Sequence, residues 1–454
     1  MTRLFGTDGI RGEAGHFPLD RATLRTLGAS LTAHLQENLV DRAPLIVTGR
    51  DTRESGEWVE RALVEGATAA GARCESAGVI TTPGVAFLAR TLPADAGVVI
   101  SASHNPFQDN GVKIFSPSGK KLEDAIERLI EADILAARSN AQPENESAVP
   151  GYESDAALLR SRYLDFLAAE IGHDLSLTRL TMVIDCANGA ASQLGPELFK
   201  RLGARVVALN DQPDGRNINR DCGSLHTAAL QQRVIAEQAD FGVAFDGDAD
   251  RALFADSAGR FVDGDGAMFV LANYLHGRGE LQHGMVVGTV MSNVGLEIAL
   301  RSRGLQLNRT DVGDKYVLDE LLRSGASLGG EQSGHLIFPR LSLAGDGMIT
   351  TLSLLRAMRE QDKSLAELTA GFERYPQVLV NVRVREKTAF NNIESVRELA
   401  REIEAKLGDH GRLLLRYSGT ESLARVMIEG QDQGEIEAYA GSLADEIKLA
   451  IGIG

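Results

Sequence analysis

Residues 97–106 read GVVISASHNP, an apolar run that breaks off into small polar residues and a proline. Such a run is a buried strand, and in α/β proteins ligands bind at the edge of the sheet where such a strand ends. Ser103 then falls on a turn just past the strand. Asn110-Gly111-Val112-Lys113 reads as a second turn, one that delivers a lysine. A serine needs a base, a metal or a preloaded phosphoryl group before it does chemistry. Taken alone, Ser-His-Asn-Pro is accounted for by turn chemistry; the segments on either side change that reading.

On the N-terminal side, FGTDGIRG (residues 5–12) sets three glycines around Arg11, a loop able to wrap an anion closely. Leu24, Leu27, Leu31 and Leu35 recur at helical spacing. The strand Leu45-Ile46-Val47, a turn at 48–52 and a helix carrying Trp58, Ala62, Leu63 and Gly66 follow. This alternation predicts an α/β unit with a largely parallel sheet. On the other side, residues 139–151 (SNAQPENESAVPG) lack apolar periodicity and read as a linker. A helix over Leu158, Leu159, Tyr163, Phe166 and Leu167 then leads to the strand Met182–Asp185. The loop 210–224 is long enough to suggest a function of its own.

Three apolar strands (Val47, Ile184 and Val287 regions) each end before a helix. Three hairpin-like stretches (114–120, 253–260 and, more faintly, 336–339) each lead into another helix. The chain therefore reads as three similar α/β domains with mixed, mostly parallel sheets, at 1–150, 151–254 and 255–370. A small C-terminal α+β domain over 371–454 completes it.

With 454 residues and ordinary composition there is material for several cores. The formal net charge of −16 argues against non-specific nucleic-acid or membrane binding and makes clustered arginines informative. Residues 1–6 show no signal-peptide pattern, and no apolar run approaches the ~20 residues that span a bilayer. Cys74, Cys186 and Cys222 are odd in number and far apart, as expected of reduced cysteines in a cytoplasmic protein.

Three further segments carry chemistry. Asp246, Asp248 and Asp250 in DGDADR follow the strand Phe241–Phe245. On an extended segment, alternate positions point one way, so the three carboxylates can share a cation. An all-oxygen site favours Mg²⁺ completed by a phosphate oxygen. An EF-hand fails here, because its sixth and twelfth positions would be Arg251 and Ser257. GGEQSGH (329–335) supplies Glu331, Ser333 and His335, groups that both donate to and accept from sugar hydroxyls. RYSGTE (416–421) with Arg425 puts Ser418, Gly419 and Thr420 between two arginines, whose planar forks match phosphate. A nucleophile, a metal triad, a hydroxyl-reading loop and a phosphate clamp on four segments suit a cleft between domains and phosphoryl transfer.

The four motifs SASHNP, DGDADR, GEQSGH and RYSGTE, in this order, resemble the α-D-phosphohexomutase superfamily over essentially the whole chain. FGTDGIRG, GGEQSGH and DVGDKYVLDE (311–320) most resemble its branch acting on glucosamine phosphates. The resemblance implies four domains around a central cleft, interconversion of glucosamine 6-phosphate and glucosamine 1-phosphate, and a homodimer with a small phosphosugar substrate. It implies phosphorylation of Ser103, one Mg²⁺ on Asp246, Asp248, Asp250 and the phosphoserine, and hexose 1,6-bisphosphate as activator. It places Arg11, His104, Lys113, Arg251 and His335 near the transferring phosphate, with Lys113 and His335 as acid/base candidates. Glu331 and Ser333 contact the sugar; Arg416, Ser418, Gly419, Thr420 and Arg425 hold the distal phosphate. Lys315 departs from the Arg expected in that segment and loses bidentate geometry. Competing readings are a phosphomannomutase/phosphoglucomutase, a phosphatase with Asp246 as nucleophile, and a sugar-phosphate sensor.

Overall fold

The computed structural model describes residues 3–6, 8–37, 39–139, 155–418 and 421–453. They divide into two compact units, Met1–His283 with Val312–Ala370, and Gly284–Asp311 with Gly371–Gly454. The expected linker, apart from Ser139, lies outside the described residues.

The first unit holds a six-stranded sheet in the order Phe5–Gly6, Gly9–Glu13, Asp109–Phe115, Ala96–Ile100, Leu45–Arg50, Arg73–Val79. All five residues of Ala96–Ile100 are buried, as its unbroken apolar sequence requires of a strand covered on both faces. The leucine pattern forms the helix Arg21–Gln36, started by Asp20, whose carboxylate accepts from Thr23 N at 3.0 Å. A second sheet runs Phe261–Val262, Ala252–Asp256, Phe241–Phe245, Thr181–Asp185, Arg205–Leu209.

The sheets are mixed, as expected. Parallel pairing joins Ala96–Ile100, Leu45–Arg50 and Arg73–Val79 in one sheet and Phe241–Phe245, Thr181–Asp185 and Arg205–Leu209 in the other. The remaining strands return antiparallel, because the chain doubles back directly after each site loop. One expectation needs correction: Asn110-Gly111-Val112-Lys113 is not a turn but lies inside the strand Asp109–Phe115. Gly111 is there for close approach, since a Cβ would stand 2.6 Å from the Ser101 carbonyl.

The three hairpin-like stretches do form. Phe115 bridges Lys121, Phe254 pairs with Val262 and Phe338 bridges Ser342. Each leads to a helix, respectively Asp124–Ser139, Gly264–Gly277 and Gly347–Gln361. In the second unit, Met285–Thr289 and Gln306–Thr310 pair in parallel. Gln377–Arg383, Leu423–Glu429 and Arg412–Tyr417 form an antiparallel sheet backed by the helices Glu394–Leu407 and Gln433–Ile451.

Candidate active site

Ser103 is buried and has a left-handed backbone with φ +53°. Its Oγ donates to Asp246 Oδ2 at 2.6 Å and lies 3.3 Å from His104 Nδ1. Ser103 N donates to Ser101 Oγ at 2.9 Å, and Ser101 Oγ donates to Asp51 Oδ2 at 2.6 Å.

The carboxylate loop is a tight turn, not the extended segment expected. Ala249 N bonds Asp246 O at 3.1 Å and Ala249 has φ +56°. The turn still converges the side chains: one oxygen from each of Asp246, Asp248 and Asp250 lies within 4.8 Å of the others. Asp248 Oδ2 accepts from Lys113 Nζ at 2.8 Å and from Thr82 Oγ1 at 2.6 Å; Asp250 Oδ2 accepts from Lys113 Nζ at 3.2 Å. Thr82 opens the helix Thr82–Thr91, whose N-terminus favours this negative charge.

Burial pushes the Asp246 carboxyl well up, and the neighbouring Asp250 and Asp248 charges add to that. Burial also opposes charge on Lys113, but Asp248 and Asp250 more than reverse it and hold the amine as an ammonium. Burial with Arg251 and Arg11 lowers His104 to about 4, so its imidazole is neutral near pH 7. Arg251 Nη1 donates to His104 Nδ1 at 3.0 Å, which leaves the ring proton on Nε2. Arg11 stands 3.5 Å from Asp8.

Asp248 Oδ1 and Asp250 Oδ1 are buried and have no hydrogen-bond partner among the described residues. Lys113 balances part of this charge and Arg251 Nε stands 3.8 Å from Asp250 Oδ1, yet neither oxygen accepts a hydrogen bond among the described residues, a cost of about 1–3 kcal/mol each that a bound cation would relieve. The donor set is all oxygen and fits a hard divalent ion.

Glu331, Ser333 and His335 sit on the turn between Gly329–Gly330 and Leu336–Ile337, closed by Glu331 N to His335 O at 3.0 Å. Glu331 Oε1 accepts from Gly313 N at 3.0 Å; Ser333 Oγ and His335 Nε2 are buried without hydrogen-bond partners among the described residues. His335, Lys113, Asp250 and Thr82 line a cavity of about 300 Å³ that also reaches Lys121 and Lys315. Lys315 pairs with Asp124, and Lys121 bonds Asp314 at 2.8 Å.

In the second unit, Arg416 and Arg425 are direct cross-strand partners. Burial and the Arg425 charge both lower Arg416. Like charges placed opposite each other on a strand pair repel unless an anion joins them. Buried Ser418 donates its N–H to Leu423 O at 2.8 Å, and its carbonyl accepts from Lys387 Nζ at 2.7 Å. Gly419 and Thr420 lie outside the described residues.

The first unit thus collects Arg11, Ser103, His104, Lys113, the three Asp, Arg251, Glu331, Ser333 and His335. Arg416, Ser418 and Arg425 belong to the second. Sequence reasoning missed Thr82 and Arg53. Both follow strands of the first sheet (Arg73–Val79 and Leu45–Arg50), and that position is the signal that marks them. It also missed Asn219, in the loop 210–224 whose length had already stood out.

Family models for phosphoglucomutase/phosphomannomutase match the chain in order. Alpha/beta/alpha domains I, II and III fall at residues 2–141, 161–259 and 263–375, and the C-terminal domain at 379–446. The chain belongs to this family and is an enzyme of the mutase class, an isomerase. Its curated relatives over the full length include phosphoglucosamine mutases. That of Solibacter usitatus is 48% identical over 99% of both chains, and that of Koribacter versatilis 45% identical over 100% of this chain and 98% of its own. Among solved structures, a phosphoglucomutase/phosphomannomutase family protein from Burkholderia thailandensis shares the fold at TM-score 0.79, with 24% identity over 99% of both chains. The N-acetylphosphoglucosamine mutase of Aspergillus fumigatus, solved with GlcNAc-6P and magnesium, has TM-score 0.64 at 18% identity over 98% of this chain and 96% of its own. The resemblance read from the four motifs is borne out.

Proposed function

We propose that the chain interconverts glucosamine 6-phosphate and glucosamine 1-phosphate through phosphorylated Ser103. One observation carries this reading: a buried serine hydroxyl 2.6 Å from Asp246, beside two buried carboxylate oxygens that accept no hydrogen bond among the described residues. The relatives named phosphoglucosamine mutase supply the sugar.

Asp246, Asp248 and Asp250, with the phosphoserine, would hold Mg²⁺, which when bound neutralises charge on the transferring phosphoryl group. Lys113 and Arg251 bring further positive charge to the same place, where electrostatic stabilisation supplies most of the catalysis. Ser103 passes its phosphoryl group to a hydroxyl of the bound monophosphate and so makes the 1,6-bisphosphate. After that intermediate reverses its orientation, its other phosphate returns to Ser103, and both monophosphates are reached from one intermediate. His335, with its unpartnered Nε2, handles the sugar-hydroxyl proton. Lys113 acts as a fixed ammonium in the arrangement seen. Glu331 and Ser333 read sugar hydroxyls, while Arg416, Ser418, Gly419, Thr420 and Arg425 hold the phosphate that is not reacting. Arg11 and His104 order the Ser103 side. Hexose 1,6-bisphosphate primes the serine. We further read four domains at 1–150, 151–254, 255–370 and 371–454, a homodimer, and a cytoplasmic setting.

The test is ³¹P NMR of turnover with Mg²⁺ and a trace of hexose 1,6-bisphosphate, comparing glucosamine, glucose and mannose 6-phosphates. The expected result is dominant conversion of glucosamine 6-phosphate. Preference for another sugar overturns the substrate, and inorganic phosphate as the only product overturns the mutase chemistry.

A further inference from the structure

Phosphoryl transfer leaves two segments without a role, residues 51–55 and the loop 210–224, yet both converge on the peptide that carries Ser103. The left-handed backbone of Ser103 is one that residues other than glycine, Asn and Asp rarely hold unaided. Its carbonyl accepts from Arg53 Nη2 at 3.0 Å and from Asn219 Nδ2 at 2.9 Å. The Asn105 carbonyl accepts from the same two donors, at 2.9 and 3.0 Å. Arg53 Nη1 takes the carbonyls of Pro106 and, at 2.9 Å, Asp109. Its Nε is fixed by Asp51 Oδ2 at 2.8 Å, the oxygen that also receives Ser101 Oγ. The Arg53 and Asp51 side chains are wholly buried. The two segments are also tied to each other. Glu54 N donates to Gly215 O at 2.9 Å and Arg216 Nε to Glu54 Oε2 at 2.6 Å, while Thr52 Oγ1 donates to the carbonyl of Asn188, whose Oδ1 accepts from Gln212 N at 3.2 Å.

We infer that Arg53 and Asn219 are positioning residues for the mutase reaction. They grip the Ser103 carbonyl from two sides, hold the strained backbone, and so fix the line along which Oγ meets the phosphoryl group. The inference rests on Ser103 being the phosphoryl carrier. The rest of the substrate is bound by other residues, so loosening the grip should act on the chemical step and not on binding.

The test combines steady-state kinetics with the rate at which glucose 1,6-bisphosphate phosphorylates the dephosphorylated enzyme, followed by intact mass, on Asn219→Ala, Arg53→Lys and Arg53→Met. A misplacement near 1 Å costs on the order of 100-fold, so Arg53→Met should lose about that much in kcat and Asn219→Ala about 10-fold, with KM within about twofold. The phosphorylation rate should fall by the same factors, and Arg53→Lys should recover part of the loss. Leu31→Ala, a core deletion in the helix Arg21–Gln36, should lower the melting temperature and keep kcat per folded molecule. Folded Asn219→Ala and Arg53→Lys enzymes with wild-type kcat and phosphorylation rate would overturn the inference. So would losses confined to KM. If Arg53→Met does not fold, Asn219→Ala decides. Ser103→Ala run in parallel separates the two ideas: retained turnover there sinks the serine assignment on which the clamp rests, whereas lost turnover there with wild-type rates in the Arg53 and Asn219 variants sinks the clamp alone.

Discussion

Lys113 sets the charge balance of the site. Its ammonium bonds both Asp248 and Asp250. Removing one partner of a buried ion pair costs about 3–5 kcal/mol, because the other charge is stranded. Lys113→Met should therefore be destabilised by about that much without metal, and Mg²⁺ should raise its melting temperature more than that of the wild type. An equal Mg²⁺ shift in both would refute the shared-charge reading.

A second residue gives a pH signature. Asp346 caps the helix Gly347–Gln361, accepting from Met348 N at 2.9 Å, Ile349 N at 3.0 Å and Tyr163 OH at 2.7 Å. Burial nevertheless raises its carboxyl from 3.8 to about 6. The folded state then binds the extra proton between these values. This contribution to stability is full below pH 3.8 and is lost as pH rises through about 6. Over that window the wild type should lose about 3 kcal/mol relative to Asp346→Asn, measured by urea unfolding at stepped pH. At this scale the motif residues were legible because reactive side chains cluster in short strings. Arg53 and Asn219 were not, because each acts on backbone carbonyls far away in sequence, which no local pattern records.

Among elements, the helices Arg21–Gln36 and Gly56–Ala69 cross in backbone contact through glycines. A Cβ on Gly28 would stand 2.0 Å from Leu63 O, and one on Gly66 would stand 1.8 Å from Arg25 O. Gly66→Ala gains helix propensity but must force the helices apart, so a net loss of about 1–3 kcal/mol in thermal or chemical unfolding is expected. A neutral or stabilising result would show that this crossing is looser than it looks. Helices and strands were readable from apolar periodicity, and the three hairpin-to-helix repeats from their echo in sequence. The Asp246–Asp250 turn and the strand position of Asn110-Gly111 were misjudged for one reason. Their backbone is dictated by partners outside the segment, Ala249 O by Gly347 N at 3.1 Å and Gly111 by the Ser101 carbonyl. Turn propensity alone cannot report that.

For the whole molecule, the split into two units leaves the second with a buried keystone of its own. In the second unit the Glu429 carboxylate accepts from Val294 N at 3.1 Å, Asn293 Nδ2 at 3.3 Å and Arg412 Nε at 3.0 Å. Glu429→Ala strands a buried amide and a guanidinium, a loss of about 2–4 kcal/mol for that unit. Calorimetry should show one of at least two unfolding transitions moving down while the other stays. A uniform downward shift of all transitions would contradict that independence. The four-part order of the chain was legible in its motifs. The pairing of 284–311 with 371–454 was not, because these segments are distant in sequence and each looks complete.

That interleaving has a consequence for how the chain is made. During synthesis the segment Gly284–Asp311 emerges ahead of its partners, with about 60 residues in between. At about 5–20 residues per second it waits some 3–12 s before residues beyond Gly371 begin to appear. The stretch Ser292–Val294, which bonds Tyr375, Glu429 and Arg412 in the finished protein, spends that time beside the ribosome without those partners. A newborn chain of this kind is a natural client for a holding chaperone, and synonymous codons that slow translation between 312 and 370 should lower its soluble yield.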